Sequence, residues 1–209
     1  MRIRGVLVEG EQSLGERSRR RRWGRFRAAF PLLSEMHVVD LGGTVQWWER
    51  APERPAHVTV VNLDPQPVPP GWATVVQGDA CDLEGDFDLA FSNAVIEHVG
   101  GHQRRVAFAS AARTLAPAHW VQTPYRYFPI EPHYLFPGLQ FLPVAARARI
   151  LRRWPLVHGD LSHPGAAMWA ALDVDLIGRA EMRYLFPDSE VLAERVAGLT
   201  KSLIALRRG

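Results

Sequence analysis

Three short apolar runs, each closed by a carboxylate, constrain this chain more than any other feature. Val38-Val39-Asp40-Leu41-Gly42-Gly43-Thr44 ends the first run in an acid and a glycine pair. Asp64 follows Val58-Thr59-Val60-Val61-Asn62-Leu63, and Asp79-Ala80 follows Val75-Val76-Gln77-Gly78. Runs of this length and composition read as buried parallel strands. Glycines at a strand-to-helix turn let backbone approach a ligand closely, and open α/β sheets bind ligands outside the carboxyl ends of their strands. Asp40, Gly42, Gly43 and Thr44 therefore frame one turn of a nucleotide-type cofactor site, with Asp64 and Asp79 at the neighbouring strand tips.

The acid at the first turn decides which cofactor. A dinucleotide site needs G-x-G-x-x-G so that a pyrophosphate can rest on the helix N-terminus. Here the third glycine is missing, and Asp40 would repel a diphosphate. A cationic ligand fits better, and S-adenosylmethionine, with an ammonium and a sulfonium but no phosphate, turns the same carboxylate into an attraction. Asp64 is then placed to accept the ribose hydroxyls and Asp79 the exocyclic amine of adenine. Each acid taken alone also suits a solvated turn, where Asp is common; the order of the three is what carries the reading.

A fourth run, Phe87-Asp88-Leu89-Ala90-Phe91-Ser92-Asn93-Ala94-Val95-Ile96-Glu97-His98-Val99, resembles the post-strand motif of class I S-adenosylmethionine-dependent methyltransferases, in particular the type 11-like small-molecule group. The resemblance runs from about Trp23 to Arg207, with Trp120-Val121-Gln122-Thr123-Pro124 as the fifth strand, and departs from the usual G-x-G at Gly42-Gly43-Thr44. It implies an α/β fold, a Rossmann-like doubly wound seven-stranded sheet, mostly parallel with an antiparallel last strand. It also implies that Ser92 and Asn93 border the cofactor.

At 209 residues, 47% apolar and 22% charged, the chain fits one soluble domain. Within residues 1–209 we expect an arm over 1–15, a helix over 16–33, and an aromatic, proline-rich insertion over 123–164. The lone Cys81, the lack of a membrane-length apolar run and the lack of a signal-type apolar core point to the cytoplasm and to no integral membrane contact. Seven arginines between Arg17 and Arg27 offer a surface for nucleic acid or anionic lipid. Lysine occurs only at Lys201, however, so the arginine bias is chain-wide, and a solvated or carboxylate-paired helix face is the plainer expectation. Trp23, Phe26, Phe30 and Leu33 recur at helical spacing and give that helix a buried stripe.

Further strands are expected near 36–41, 87–92 and 118–122, helices near 102–115, 144–153 and 179–185, and a terminal hairpin around Gly198. The insertion carries Tyr125, Tyr127, Phe128, Tyr134, Phe136, Phe141 and Trp154 among seven prolines, which makes an ordered loop on the side where an acceptor enters. Its rings either wall the acceptor site or only fasten the insertion to the core.

Methyl transfer needs alignment and exclusion of water more than it needs acid or base. A hydroxyl acceptor would gain from a base, for which His98 and His133 are the candidates, with Tyr127 as a hydrogen-bonding partner. His98 serves equally well to orient its turn. His98 and His102 stand four positions apart, but Gly100-Gly101 breaks the helix between them, so no metal site is expected. The expected activity is transfer of a methyl group to O or N of a small molecule, with oligomeric state open. A nucleic-acid methyltransferase lacks its base-flipping motif here, since Ser92-Asn93-Ala94-Val95 stands in its place. A non-catalytic S-adenosylmethionine-binding module would bind without turnover.

Overall fold

A computed structural model describes residues 14–157 and 159–209; the expected N-terminal arm lies almost wholly outside them. Helix α1 (Leu14–Ala29) starts two residues before the expected position, and its end is set by Pro31, which keeps Phe30 out of the helical region. Strand β1 (His37–Leu41) leads into the five-residue helix α2 (Val45–Glu49), and strands β2 (His57–Asn62), β3 (Ala73–Gln77) and β4 (Leu89–Asn93) follow. Next come helix α3 (Gly101–Thr114) and strand β5 (Ala118–Pro124). After the insertion, helix α6 (Arg179–Leu185) precedes the hairpin β8 (Glu190–Val196) and β9 (Leu199–Arg208).

The sheet order is β3-β2-β1-β4-β5-β9-β8. Strands β1 to β5 pair in parallel, whereas β9 runs antiparallel to β5 and β8 antiparallel to β9. This is the expected seven-stranded sheet. The order reverses between β1 and β4, the switch point at which such sheets open a crevice. No helix among the described residues is long and apolar enough to cross a membrane.

Strict alternation along the strands sorts side chains to two faces. Val39, Leu41, Ala90 and Val121 join Phe108, Met182 and Leu185 in one core layer, under α3 and α6. Val38, Val58, Val60, Leu89, Phe91 and Trp120 join Phe26, Phe30 and Trp48 in the other, under α1 and α2. The aromatic stripe of α1 is thus buried as its spacing requires, with the Phe26 ring 5.2 Å from Phe91 and 5.3 Å from Trp120.

The insertion is more structured than its prolines suggest. It holds a two-stranded hairpin, β6 (Ile130–Glu131) with β7 (Phe136–Pro137), and helix α4 (Val144–Leu151). Helix α5 (Pro164–Asp173), absent from the sequence expectation, packs on α4. Leu139, Ala148, Leu151, Ala167 and Ala171 form a small core of their own, so the unit extends about ten residues past 164.

Candidate functional site

Parity decides the fate of Asp40. It shares the face of Val38, so its side chain enters the layer beneath α2 rather than the crevice, and only 1% of the residue is exposed. Trp48 Nε1 donates to Oδ2 at 2.8 Å, while Oδ1 is buried without a partner. The carboxylate packs against Gly43 so closely that any Cβ there would overlap it. The expectation that Asp40 meets the cofactor directly is corrected on this point: the acid lies under the turn. Burial, only partly offset by the Trp48 bond, pushes its pKa up to about 7.

A carboxyl whose folded pKa exceeds its unfolded value stabilises the protein at low pH and loses that contribution as pH rises through the folded value. The window here runs from about 4 to about 7. Relative to the parent, Asp40→Asn is expected to gain about 2 kcal/mol of stability between pH 5 and pH 7. Urea denaturation at both pH values checks this, and a difference between variant and parent that does not change with pH would show the carboxyl to be unperturbed.

The rest of the turn is as the spacing implied. Gly42 adopts a φ of 80°, its amide donates to Val61 O at 2.8 Å, and Val95 fills the space a Cβ would need. Asn62, which the sequence reading passed over, closes β2 against the turn, its Nδ2 donating to Gly43 O at 2.8 Å. Its signal was its place at the strand's end, two residues before the more conspicuous acid. Thr44 caps α2 without spending its hydroxyl on the helix and is exposed. Asp64 lies two residues beyond β2, exposed beside the turn, with its amide on Asn62 Oδ1.

Four other expected cofactor residues are engaged by neighbours within the protein. Asp79 accepts from the Cys81 amide at 2.9 Å and pairs with Arg104 of α3; the Cys81 amide bond, with help from Arg104, holds its pKa below the carboxylate range. Ala80 packs on the core layer beneath α3. Ser92 is fully buried and its hydroxyl donates to Leu41 O at 3.0 Å, tying β4 to β1. Asn93 Oδ1 accepts from Arg22 Nη1 at 2.6 Å, and the same guanidinium grips Glu194 through Nε and Nη2 and reaches Gln122. Alternation explains this, since Asn93 and Gln122 share the α1 face. Within the arginine cluster Arg22 is therefore a bolt between α1 and three strands, and Arg27 pairs with Glu53.

The strongest constellation lies past β4 and β5. Ala94 takes a left-handed turn (φ 58°) that swings the following residues over the edge, a conformation costing an alanine roughly 1 kcal/mol or more. Glu97 is buried, with Oε2 accepting from Thr123 Oγ1 at 2.9 Å and Oε1 without a partner. His98 Nε2 stands 3.1 Å from His133 Nε2, and His133 Nε2 stands 3.9 Å from Glu97 Oε1. Behind the rings, His98 Nδ1 bonds Asp173 at 2.9 Å and His133 Nδ1 bonds Glu131 at 2.6 Å. Burial by itself would lower the His133 pKa, but the Glu131 bond and the charges of Glu131, Glu97 and Asp173 outweigh it and hold it above the ordinary value. Burial raises Glu97 despite both imidazoles.

The two histidines singled out from sequence are thus brought together; Tyr127 is not. Tyr127 is 61% exposed, packed on Tyr125 at 5.5 Å and stacked with Phe141 at 6.2 Å on the insertion, outside the histidine cluster. Glu131 and Asp173 were missed. Glu131-Pro132-His133 was legible as an acid beside a histidine, whereas Asp173 sits on α5 with no pattern to mark it.

Residues 39–121, from β1 to β5, match the family model of the methyltransferase domain. Over these residues the chain is similar to that family, and its sheet has the fold of class I methyltransferases. Solved structures with the same fold include the magnesium protoporphyrin IX methyltransferase of Synechocystis with bound S-adenosylhomocysteine. It is 14% identical, with 99% of this chain and 92% of that one covered, at a TM-score of 0.53. The 1,6-didemethyltoxoflavin-N1-methyltransferase of Burkholderia thailandensis is 15% identical over 91% of this chain and 77% of that one, at 0.50. An O-methyltransferase family protein of the same organism is 14% identical over 91% and 57%, at 0.51. No curated protein matches this chain in sequence.

Proposed function

We propose that this methyltransferase chain moves the methyl group of S-adenosylmethionine to an oxygen or nitrogen of a small-molecule acceptor by in-line displacement. One observation carries the reading: the Gly42-Gly43 turn follows β1 and Glu97-His98 follows its neighbour β4 at the same carboxyl edge of the sheet, where His133 of the insertion joins them. The donor set suits this cofactor. Asp64 offers an exposed carboxylate to the ribose, and Thr44 keeps its hydroxyl. Bound there, the sulfonium supplies a methyl carbon whose bond to sulfur breaks as the acceptor lone pair forms the new one, leaving a neutral thioether. His133 would take the proton of a hydroxyl acceptor at Nε2, and Glu131 would hold the ring while it does so. The Tyr125, Tyr127 and Phe141 rings would wall the acceptor's approach.

Two of the relatives named above act, by their names, on heterocyclic small molecules, which favours a flat acceptor. The engagement of Arg22 and Arg27 with carboxylates leaves the nucleic-acid reading with less support. A cytoplasmic setting is consistent with Cys81, whose thiol burial, with Asp79 beside it, pushes up to about 11 and so keeps it unreactive.

Calorimetry with S-adenosylhomocysteine tests the cofactor, and a screen of acceptors for its release tests the reaction. Asp64→Ala is expected to weaken S-adenosylhomocysteine by about 1 to 3 kcal/mol through lost charge-assisted bonds; an unchanged affinity in a folded variant sinks the ribose assignment. Thermal stabilisation by NAD and not by S-adenosylmethionine would overturn the whole reading, and affinity without turnover on any acceptor would leave a binding module.

A further inference from the structure

We propose that Glu97, His98 and His133 form a binding site for one divalent transition-metal ion of the zinc class. A carboxylate only accepts hydrogen bonds, so the Asp173 and Glu131 bonds place the protons of both imidazoles on Nδ1. The Nε2 lone pairs of His98 and His133 then face one another at 3.1 Å, an arrangement that repels unless something positive lies between them. A proton would answer that need for the two nitrogens. It would leave Glu97 Oε1, fully buried and 3.9 Å from His133 Nε2, still without a hydrogen bond. A metal ion satisfies all three at once.

The dimensions agree. Ligand atoms about 2.1 Å from a tetrahedral ion lie about 3.4 Å from each other, and the three atoms here fall within 4.8 Å of one another. Two imidazoles and a carboxylate are a zinc-type set with one position open. Each histidine is backed by a carboxylate on its other nitrogen, the outer-shell pairing that fixes tautomer and ring orientation in such sites. The set spans β4's edge, the insertion and, through Asp173, the end of α5, so a bound ion would fasten the insertion to the sheet. The three side chains are 0%, 31% and 23% exposed for Glu97, His98 and His133, so the cluster is reached from solvent past the two imidazoles.

The site stands on geometry alone; what occupies its open position rests on the methyl-transfer reading above. There, an acceptor hydroxyl or phenol would bind through oxygen, lose its proton to solvent because coordination lowers its pKa, and attack the methyl carbon. The cation would then replace the His133 imidazole as the group that makes the oxygen nucleophilic.

The test is direct. The full chain, freed of metal with a chelator and titrated with zinc by calorimetry, is expected to bind one ion per chain, and cobalt in its place should give visible absorption bands of a low-coordinate site. His133→Ala and Glu97→Gln should each weaken zinc at least tenfold, and Glu131→Gln and Asp173→Asn, which leave all three ligands in place, by about 10-fold to 100-fold. His102→Ala, outside the cluster, should not change it. Absence of zinc binding by the folded parent, or binding that survives both His133→Ala and Glu131→Gln, would overturn the proposal. S-adenosylhomocysteine affinity, read on the same samples, separates the two ideas. Its retention without zinc binding removes only the metal, and zinc binding without it removes only the methyl-transfer reading.

Discussion

His133→Ala is expected to lower turnover on the native acceptor by at least about 100-fold while S-adenosylhomocysteine affinity stays within about twofold of the parent. The first figure follows from the usual contribution of a positioned acid or base, about 10² to 10⁴. It holds whether His133 acts through a proton or through a bound cation, because both use the same Nε2. The second figure follows from placement: His133 belongs to the insertion after β5, whereas the cofactor turn lies on β1. Steady-state kinetics together with calorimetry check the pair of values. If the folded variant loses cofactor affinity instead, the cluster belongs to the cofactor pocket and the acceptor enters elsewhere. His98→Ala should follow the same pattern, since its Nε2 faces that of His133 at 3.1 Å. Tyr127→Phe, changing an exposed ring outside the cluster, should leave turnover within a few-fold of the parent.

Gly43→Ala is expected to cost about 1 to 3 kcal/mol of stability and at least tenfold in S-adenosylhomocysteine affinity. A Cβ at this position overlaps the Asp40 carboxylate, and that carboxylate cannot swing away, being buried and held by Trp48. Overpacking a filled site costs about this much, and here the displaced element is the turn that the cofactor would touch. Gly24→Ala supplies the opposite sign. Nothing lies within 4 Å of a Cβ there, and the residue is inside α1, so the exchange should add about 0.5 to 1 kcal/mol. Chemical denaturation and calorimetry on both variants decide the matter; a Gly43→Ala protein as stable and as tight-binding as the parent would show that the turn gives way freely.

The sequence by itself determined the strands, their order of use, the acid-and-glycine turn and the terminal hairpin. Those features are local: apolar runs with flanking turn residues set which segments are buried, and burial over a few residues is readable from composition. The parity that turns Asp40 inward was also present, since it shares the register of Val38. A carboxylate beside a glycine turn nevertheless reads as a ligand contact until Trp48 is seen to claim it. Tertiary structure alone decided the rest. His98 meets His133 across 35 positions and Asp173 across 75, and Arg22 meets Glu194 across 172. Such contacts have no period to betray them. They depend on how a proline-rich insertion with its own small core folds back over the edge of the sheet, and on a left-handed turn at Ala94 that no residue preference announces. Local pattern fixed where the chain is buried; packing between distant segments fixed which charged groups face one another.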